Sequence, residues 1–140
     1  MFLESIILWL HILLFVYWLG GDLGVFYSSR FRNSPNYDVK TRQLIARITS
    51  NIDMAPKTTM VLMIPIGFSL VALNNLWVLP NWLIIFFWVF GLAWLILVWF
   101  LHLTKDASKK APWAKFDLIL RYILFAVLVI VSITSFLNFF

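Results

Sequence analysis

The chain has 140 residues, of which 63% are hydrophobic and 12% are charged, and its mean hydropathy is +0.94. This composition excludes a soluble globular protein and indicates one integral membrane domain. The formal net charge is +5. In a lipid-embedded chain we interpret the basic residues as determinants of topology that face anionic headgroups, so no nucleic-acid partner is expected. Because cysteine is absent, a metal would need histidine, methionine or carboxylate ligands.

Four segments are apolar and long enough to cross a hydrocarbon layer about 30 Å thick as helices. They are residues 2–27, 58–77, 82–104 and 116–138. All eleven Lys and Arg residues lie in two stretches, Arg30–Lys57 and Lys105–Arg121. Short loops rich in Lys and Arg stay on the cytoplasmic side. The sequence therefore predicts an all-α, integral membrane four-helix bundle with both termini outside.

The first predicted helix carries most of its polar residues in one row. With spacings of seven, seven, four and seven, they are Glu4, His11, Trp18, Asp22 and Ser29. This rhythm places them along one side of a helix. Since ionisable groups are costly inside a bilayer, we expect the row to face the protein interior. Gly20 and Gly24, with Gly21 beside them, form a small-residue pair that would let another helix approach.

Between the first and second spans, a turn-like segment, 33–36, is followed by Asp38, a good helix N-cap. Apolar residues then recur near helical spacing against Lys and Arg. This pattern predicts an amphipathic helix over about residues 38–54 at the cytoplasmic interface, ending before Pro56. In the second span, Pro65 and Gly67 predict a kink that either frees a backbone carbonyl for a ligand or serves packing alone.

Two histidines are the candidate metal ligands, and they lie at different depths. His11 is about six residues, or about 9 Å, below the outer surface, whereas His102 is some twenty residues, or about 30 Å, below it. We therefore do not expect them to share one haem iron. An imidazole surrounded by apolar and aromatic residues suits haem ligation, so His11, Trp18 and His102 are candidate cofactor-binding residues. The alternative for His11 is a neutral ring hydrogen-bonded to a backbone carbonyl or to Ser69.

Asp22 and His102 approach a common depth near the cytoplasmic side and are candidates for proton transfer. Other charged residues expected in the same third of the membrane are Asp53, Lys57, Asp117 and Arg121. Opposite charges there would compensate each other's desolvation. Asp117 and Arg121 are four residues apart and are expected to form a salt bridge.

Several short motifs resemble the HemJ-type protoporphyrinogen IX oxidases and the related CopD-like four-helix membrane proteins. They are Leu10-His11-Ile12, Trp18-Leu19-Gly20-Gly21, Asp53-Met54-Ala55-Pro56 with Pro65 and Gly67 beyond it, and His102 leading into Lys105–Lys110. The resemblance implies a protein of the bacterial inner membrane that binds b-type haem through His11, in porphyrinogen oxidation or quinone-linked electron transfer. The chain has Pro80-Asn81-Trp82-Leu83 where the family has His-Ile-Lys, and Leu120-Arg121-Tyr122-Ile123 where it has Asn-Glu-Pro. These departures leave open another substrate or no catalysis.

Two other functions stay open. The CopD-like side of the resemblance suggests copper transport, for which thioether ligands suit Cu(I) and the candidates are Met54, Met60 and Met63. Methionine also fills cores without binding a metal. The third function is a non-catalytic membrane scaffold, in which the polar row and the glycine pair serve helix association. Because four helices form a small bundle, a homo-oligomer would help to bury the polar row.

Overall fold

The structure is a computed structural model and describes residues 2–139. It is 87% helical, with no strand among these residues. Its five helices are α1 (Phe2–Arg32), α2 (Val39–Ile52), α3 (Met54–Leu73), α4 (Asn81–Leu103) and α5 (Ala107–Phe139). When α2 and α3 are taken as one rod, four helical segments are long and apolar enough to cross a membrane. The prediction of an all-helical, multi-pass membrane protein is confirmed at that level.

The chain divides into two compact units, one ending at Ile96 and the other beginning at Leu97. The first contains α1, α2, α3 and most of α4, and the second contains the end of α4 and all of α5. Two helices continue past the predicted apolar segments. Helix α1 extends to Arg32 rather than residue 27, and α5 begins at Ala107 rather than residue 116. The added turns are polar, but lysine, arginine and alanine are good helix formers.

One row of α1 residues is buried or half-buried against the rest of the first unit. At alternating spacings of three and four, the row is Glu4, Ile7, His11, Leu14, Trp18, Gly21, Val25 and Ser28. This spacing is typical of a coiled-coil contact, and we call the row the α1 seam. Most remaining large apolar residues of α1 are exposed, as expected for a surface that faces lipid.

The α1 seam packs antiparallel along α2 and α3. His11 lies against Gly67 of α3, and Gly21 lies against Pro56 at the start of the same helix. Further along α1, the Ser28 hydroxyl accepts a hydrogen bond from Thr49 Oγ1 of α2 at 2.9 Å. For each residue further along α1, the contacting residue lies about one residue earlier along α2 and α3. These two helices therefore behave as one continuous rod beside α1.

A single residue, Asp53, separates α2 from α3. Its backbone is also right-handed helical, at φ −61° and ψ −17°. Pro56 is the third residue of α3. A proline is tolerated there because the N–H groups in the first turn of a helix have no intrahelical acceptor, so its missing N–H costs no helix hydrogen bond. The predicted N-cap is confirmed, since the Asp38 carboxylate accepts hydrogen bonds from the backbone N–H groups of Lys40 and Thr41 at 3.2 and 3.4 Å.

Helix α3 pairs with α4 after a turn in which Asn75 adopts a left-handed φ of 51°, a conformation that asparagine tolerates better than most residues. The α3–α4 contact centres on Pro65, which is fully buried. The Pro65 ring lies 3.2 Å from the position that a Cβ on Gly91 would occupy. Nearby, the rings of Phe68 and Phe87 stack with centroids 3.8 Å apart. The kink residue Pro65 therefore serves close packing here.

The second unit is mainly α5. The predicted ion pair is confirmed, because Arg121 Nε and Nη2 donate to the two carboxylate oxygens of Asp117 at 2.9 and 3.2 Å. Both side chains are mostly buried, which is where a charged pair in an apolar helix has the lowest cost. None of the α5 side chains that the structure describes is fully buried. This leaves an apolar helical surface that suits lipid.

Candidate functional site

His11 is the one histidine on the α1 seam, and its ring packs where α3 has no side chain. Its Cε1 atom lies 3.5 Å from the position that a Cβ on Gly67 would occupy, an ordinary contact distance, so the imidazole lies directly against this glycine. The Nδ1 atom is buried and has no hydrogen-bond partner. A buried polar atom without a partner typically costs about 1–3 kcal/mol. The site therefore holds an imidazole whose hydrogen-bonding capacity the surrounding helices do not use.

Ser69, the side chain expected as an alternative partner of His11, is engaged elsewhere. Its hydroxyl donates to the carbonyl oxygen of Pro65 at 2.8 Å and accepts from Trp88 Nε1 at 3.1 Å. The Nδ1 atom of His11 has no hydrogen bond to any residue in the range 2–139. The alternative of an imidazole bonded through Nδ1 to Ser69 or to a backbone carbonyl is therefore not seen in this structure.

The imidazole of His11 suits a haem iron better than a metal ion that is held only by protein ligands. A b-type haem would be held by one imidazole nitrogen, with the second ring nitrogen carrying the proton. A metal ion held only by protein requires several ligands, and no group of three His, Asp or Glu side chains comes together within the described part of the chain. The donor set around His11 is thus compatible with haem and does not form a multi-ligand ion site.

Trp18 and Asp22 follow His11 on α1, and these two residues differ in their exposure. Trp18 is half-buried on the α1 seam, seven residues and about 10 Å beyond His11. Asp22 is exposed and has no hydrogen bond or ion pair with the described residues. The expectation that Asp22 faces the interior is therefore wrong. The seam continues from Trp18 by three residues to Gly21, whereas Asp22 is four residues on and about 100° further around the helix.

His102 lies in the last turn of α4 and is half-buried. Its ring meets Trp99 edge to face, with centroids 6.3 Å apart and an interplanar angle of 82°. The charged residues expected in the same region pair inside their own helical segments. Lys57 pairs with Asp53, and Arg121 pairs with Asp117. The part of the charge cluster that the structure shows is thus two local ion pairs, and proton transfer through Asp22 and His102 stays a prediction.

The three methionines considered for copper do not all share one face of α3. Met60 and Met63 are three residues apart and half-buried, so they lie on one side of the helix. Met54 is buried at the start of α3, six residues before Met60 and about 120° away around the helix. The helix therefore presents a methionine pair rather than a triad.

Two hydrogen bonds between helices were not predicted from the sequence. The hydrogen bond from Trp88 to Ser69 joins α4 to α3, and Thr49 bonds to Ser28 across α2 and α1. The sequence did contain a signal for both hydrogen bonds, because each joins polar side chains that lie in otherwise apolar helices. What the sequence did not provide was the register between the helices.

Comparison with models of protein families, with curated proteins and with solved structures finds no match for this chain. The chemistry of the site is therefore interpreted from its own residues.

Proposed function

We propose that this chain is a multi-pass protein of the bacterial inner membrane that binds b-type haem through His11 and has a redox role. The observation that carries the proposal is the imidazole of His11, held on a helix long and apolar enough to span a membrane, with its Nδ1 buried and without a hydrogen bond. A polar ring is costly in such an apolar environment unless a ligand offsets that cost. An imidazole that holds iron through Nε2 would keep its proton on Nδ1, and the bond to iron would have to offset the cost of that buried, unpaired N–H.

Each candidate residue has a role in this proposal. His11 holds the iron, and Trp18, on the same seam, contributes aromatic surface beside the macrocycle. His102 is a candidate ligand for a separate group, and Asp22 with His102 is the candidate pair for proton transfer. When bound, the haem supplies one-electron chemistry, which suits porphyrinogen oxidation or electron exchange with a quinone.

The proposed topology places both termini outside and the α1–α2 turn in the cytoplasm. It is supported by the confinement of all eleven Lys and Arg residues to two stretches. With α2 at the cytoplasmic interface, the basic residues of α2 would meet anionic headgroups. A homo-oligomer would cover the exposed carboxylate of Asp22, which no residue of the described chain pairs.

Copper transport has one observation in its favour, the pair of Met60 and Met63 on one side of α3. Two thioethers provide too few ligands for a closed Cu(I) site unless further ligands come from elsewhere. The scaffold function loses its main support, because Gly21 and Gly24 contact α3 and α2 of the same chain. Only Gly20 faces open space.

An absorbance spectrum of the detergent-purified protein, with and without added haem, tests the proposal. We expect a Soret band with α and β bands that sharpen on reduction in the wild type. His11→Ala should lose these bands while keeping its helical circular dichroism, and in His102→Ala, at the other candidate ligand, the bands that depend on His11 should remain.

Other outcomes of this experiment would overturn the proposal. A colourless wild type that does not take up added haem but contains stoichiometric copper, lost in Met60→Leu, would establish the copper function. A colourless, metal-free wild type would leave the scaffold. If His11→Ala keeps the spectrum and His102→Ala loses it, the iron ligand is assigned to the wrong histidine.

A further inference from the structure

The inner end of α1 and the whole of α2 form a helical pair at the edge of the membrane. Helix α1 has 31 residues and is therefore about 46 Å long, close to the full bilayer thickness of about 40–45 Å including headgroups. About 8 Å, or some five residues, at each end of α1 thus extends past a hydrocarbon layer of about 30 Å. Helix α2 packs along the last third of α1, because Ile52 contacts Gly24 and Thr49 bonds to Ser28.

The register of this pair decides which side chains share a face. Tyr27 comes one residue before the contact residue Ser28, and Ile48 comes one residue before its partner Thr49. Around its own helix axis, each of these two residues lies about 100° from the contact residue, in the same rotational direction. Two antiparallel helices that touch at these residues are related by a local two-fold axis perpendicular to their common plane. Tyr27 and Ile48 therefore lie on the same side of the pair.

Large apolar residues occupy this side on both helices. We call it the two-helix face, and its members, with their exposed fractions, are Leu23 (61%), Tyr27 (63%), Leu44 (57%), Ile48 (48%) and Ile52 (36%). On the opposite side, the residue next to each contact residue is polar. One residue after each contact residue stands a serine, Ser29 on α1 and Ser50 on α2. The amphipathic pattern of α2 is thus extended across the contact onto the inner end of α1.

The charge of the pair indicates what covers the two-helix face. Between Leu23 and Ile52 the basic residues are Arg30, Arg32, Lys40, Arg42 and Arg47, and the acidic residue is Asp38. Lys40 and Arg47 are exposed on the side of α2 that points away from α1. Basic residues that flank an apolar face favour a membrane surface with anionic lipids.

We infer that the two-helix face inserts into the boundary between the headgroups and the acyl chains of an anionic leaflet, with α1 and α2 acting as one unit. Its assignment to the cytoplasmic leaflet rests on the proposed topology. The face is continuous with the lipid-exposed surface of the α1 span, since Leu19, one turn before Leu23, is 52% exposed. The occupant is therefore lipid rather than a second protein.

Because the chain has no cysteine, single cysteines test this inference without background labelling. Ile48→Cys places a label on the two-helix face, and Ser50→Cys is its matched control on the opposite side of the same helix. Tyr27→Cys and Ser29→Cys form the equivalent pair on α1. Each variant is labelled with an environment-sensitive fluorophore and reconstituted into vesicles of phosphatidylcholine with or without phosphatidylglycerol. Quenching is measured with lipid-borne nitroxide and with aqueous iodide.

We expect the labels at positions 27 and 48 to be quenched several-fold more by lipid-borne nitroxide than those at 29 and 50, and less by iodide. The difference in quenching between matched positions should increase when phosphatidylglycerol is present. The double substitution of Lys40→Gln and Arg47→Gln should abolish that increase. Equal quenching at matched positions would overturn the inference. So would protection of position 48 from both quenchers, which would mean that protein covers the face. None of these readouts depends on haem or on which leaflet is occupied, so their failure is distinct from failure of the proposed function.

Discussion

The two halves of the α1 seam are closed in different ways. In the half that ends at Ser28, which we call the inner half, glycines bring the backbones together, and a Cβ on Gly21 would overlap Cδ of Pro56. In the half that begins at Glu4, which we call the outer half, a large polar side chain, His11, fills the space beside Gly67 and keeps Nδ1 buried without a partner. Shape alone accounts for the inner contact. The outer contact is well shaped but leaves one buried polar atom without a partner.

The inner contact should be the most sensitive point of the first unit. In Gly21→Ala the new methyl group overlaps the rigid ring of Pro56, so α1 must move away from α3. We expect the free energy of unfolding to fall by about 1–3 kcal/mol, the usual cost of overpacking. Denaturation in mixed detergent micelles, followed by circular dichroism, measures this change.

Gly20→Ala is the control for this prediction, since a Cβ at Gly20 meets nothing within 4 Å. Alanine favours a helix over glycine, so this neighbouring substitution should leave stability unchanged or slightly raised. Equal losses in the two variants would mean that the glycine contact with Pro56 does not hold α1 in place.

The sequence predicted the number and type of the spans, the Asp38 cap and the Asp117–Arg121 pair, because each depends on local spacing or composition. It also predicted that His11 and Trp18 face inward. It failed at Asp22 and at Gly20, where a shift of one residue decides the result, whereas Gly24 does contact a neighbouring helix as predicted. Gly21 rather than Gly20 makes the close approach because Pro56 stands opposite it. That partner comes from a distant part of the chain, and periodicity within α1 contains no information about it.

The outer contact should respond in the opposite direction to the inner one. In the haem-free protein, His11→Leu replaces an unpaired polar ring by an apolar side chain. We expect the free energy of unfolding to rise by about 1 kcal/mol, because the cost of the unpaired Nδ1 disappears. In haem-loaded protein the same substitution should lower stability, because the ligand is lost. If the haem-free variant is instead less stable than the wild type, the imidazole already forms a stabilising contact in the protein.

A smaller effect is expected where α1 meets α2. A double-mutant cycle with Ser28→Ala and Thr49→Val isolates the hydrogen bond between the two hydroxyl groups, which are 2.9 Å apart. Both side chains also bond within their own helices, Ser28 to the Val25 carbonyl and Thr49 to the Ile45 carbonyl. The coupling energy should therefore be modest, about 0.6 kcal/mol, as for other hydrogen bonds between membrane helices. A coupling of zero would leave the contact of Gly24 with Ile52 as the support of this pair.

The smallest effect concerns the start of α2 and depends on pH. Hydrogen bonds from Thr41, chiefly its side chain, and from the backbone of Lys40 lower the pKa of Asp38 below the ordinary value of 3.8. A carboxyl group whose pKa is lower in the folded state stabilises that state above pH 3.8, and the contribution is lost as the pH falls through the folded pKa. We therefore expect a slight loss of thermal stability at acidic pH in the wild type. Asp38→Asn keeps a capping oxygen but does not titrate, so the difference between the two proteins isolates this group from the other carboxylates. Identical pH profiles would show that the cap does not limit the stability of the α1–α2 pair, which would then depend on the contacts between the two helices, namely the Ser28–Thr49 hydrogen bond and the contact of Gly24 with Ile52.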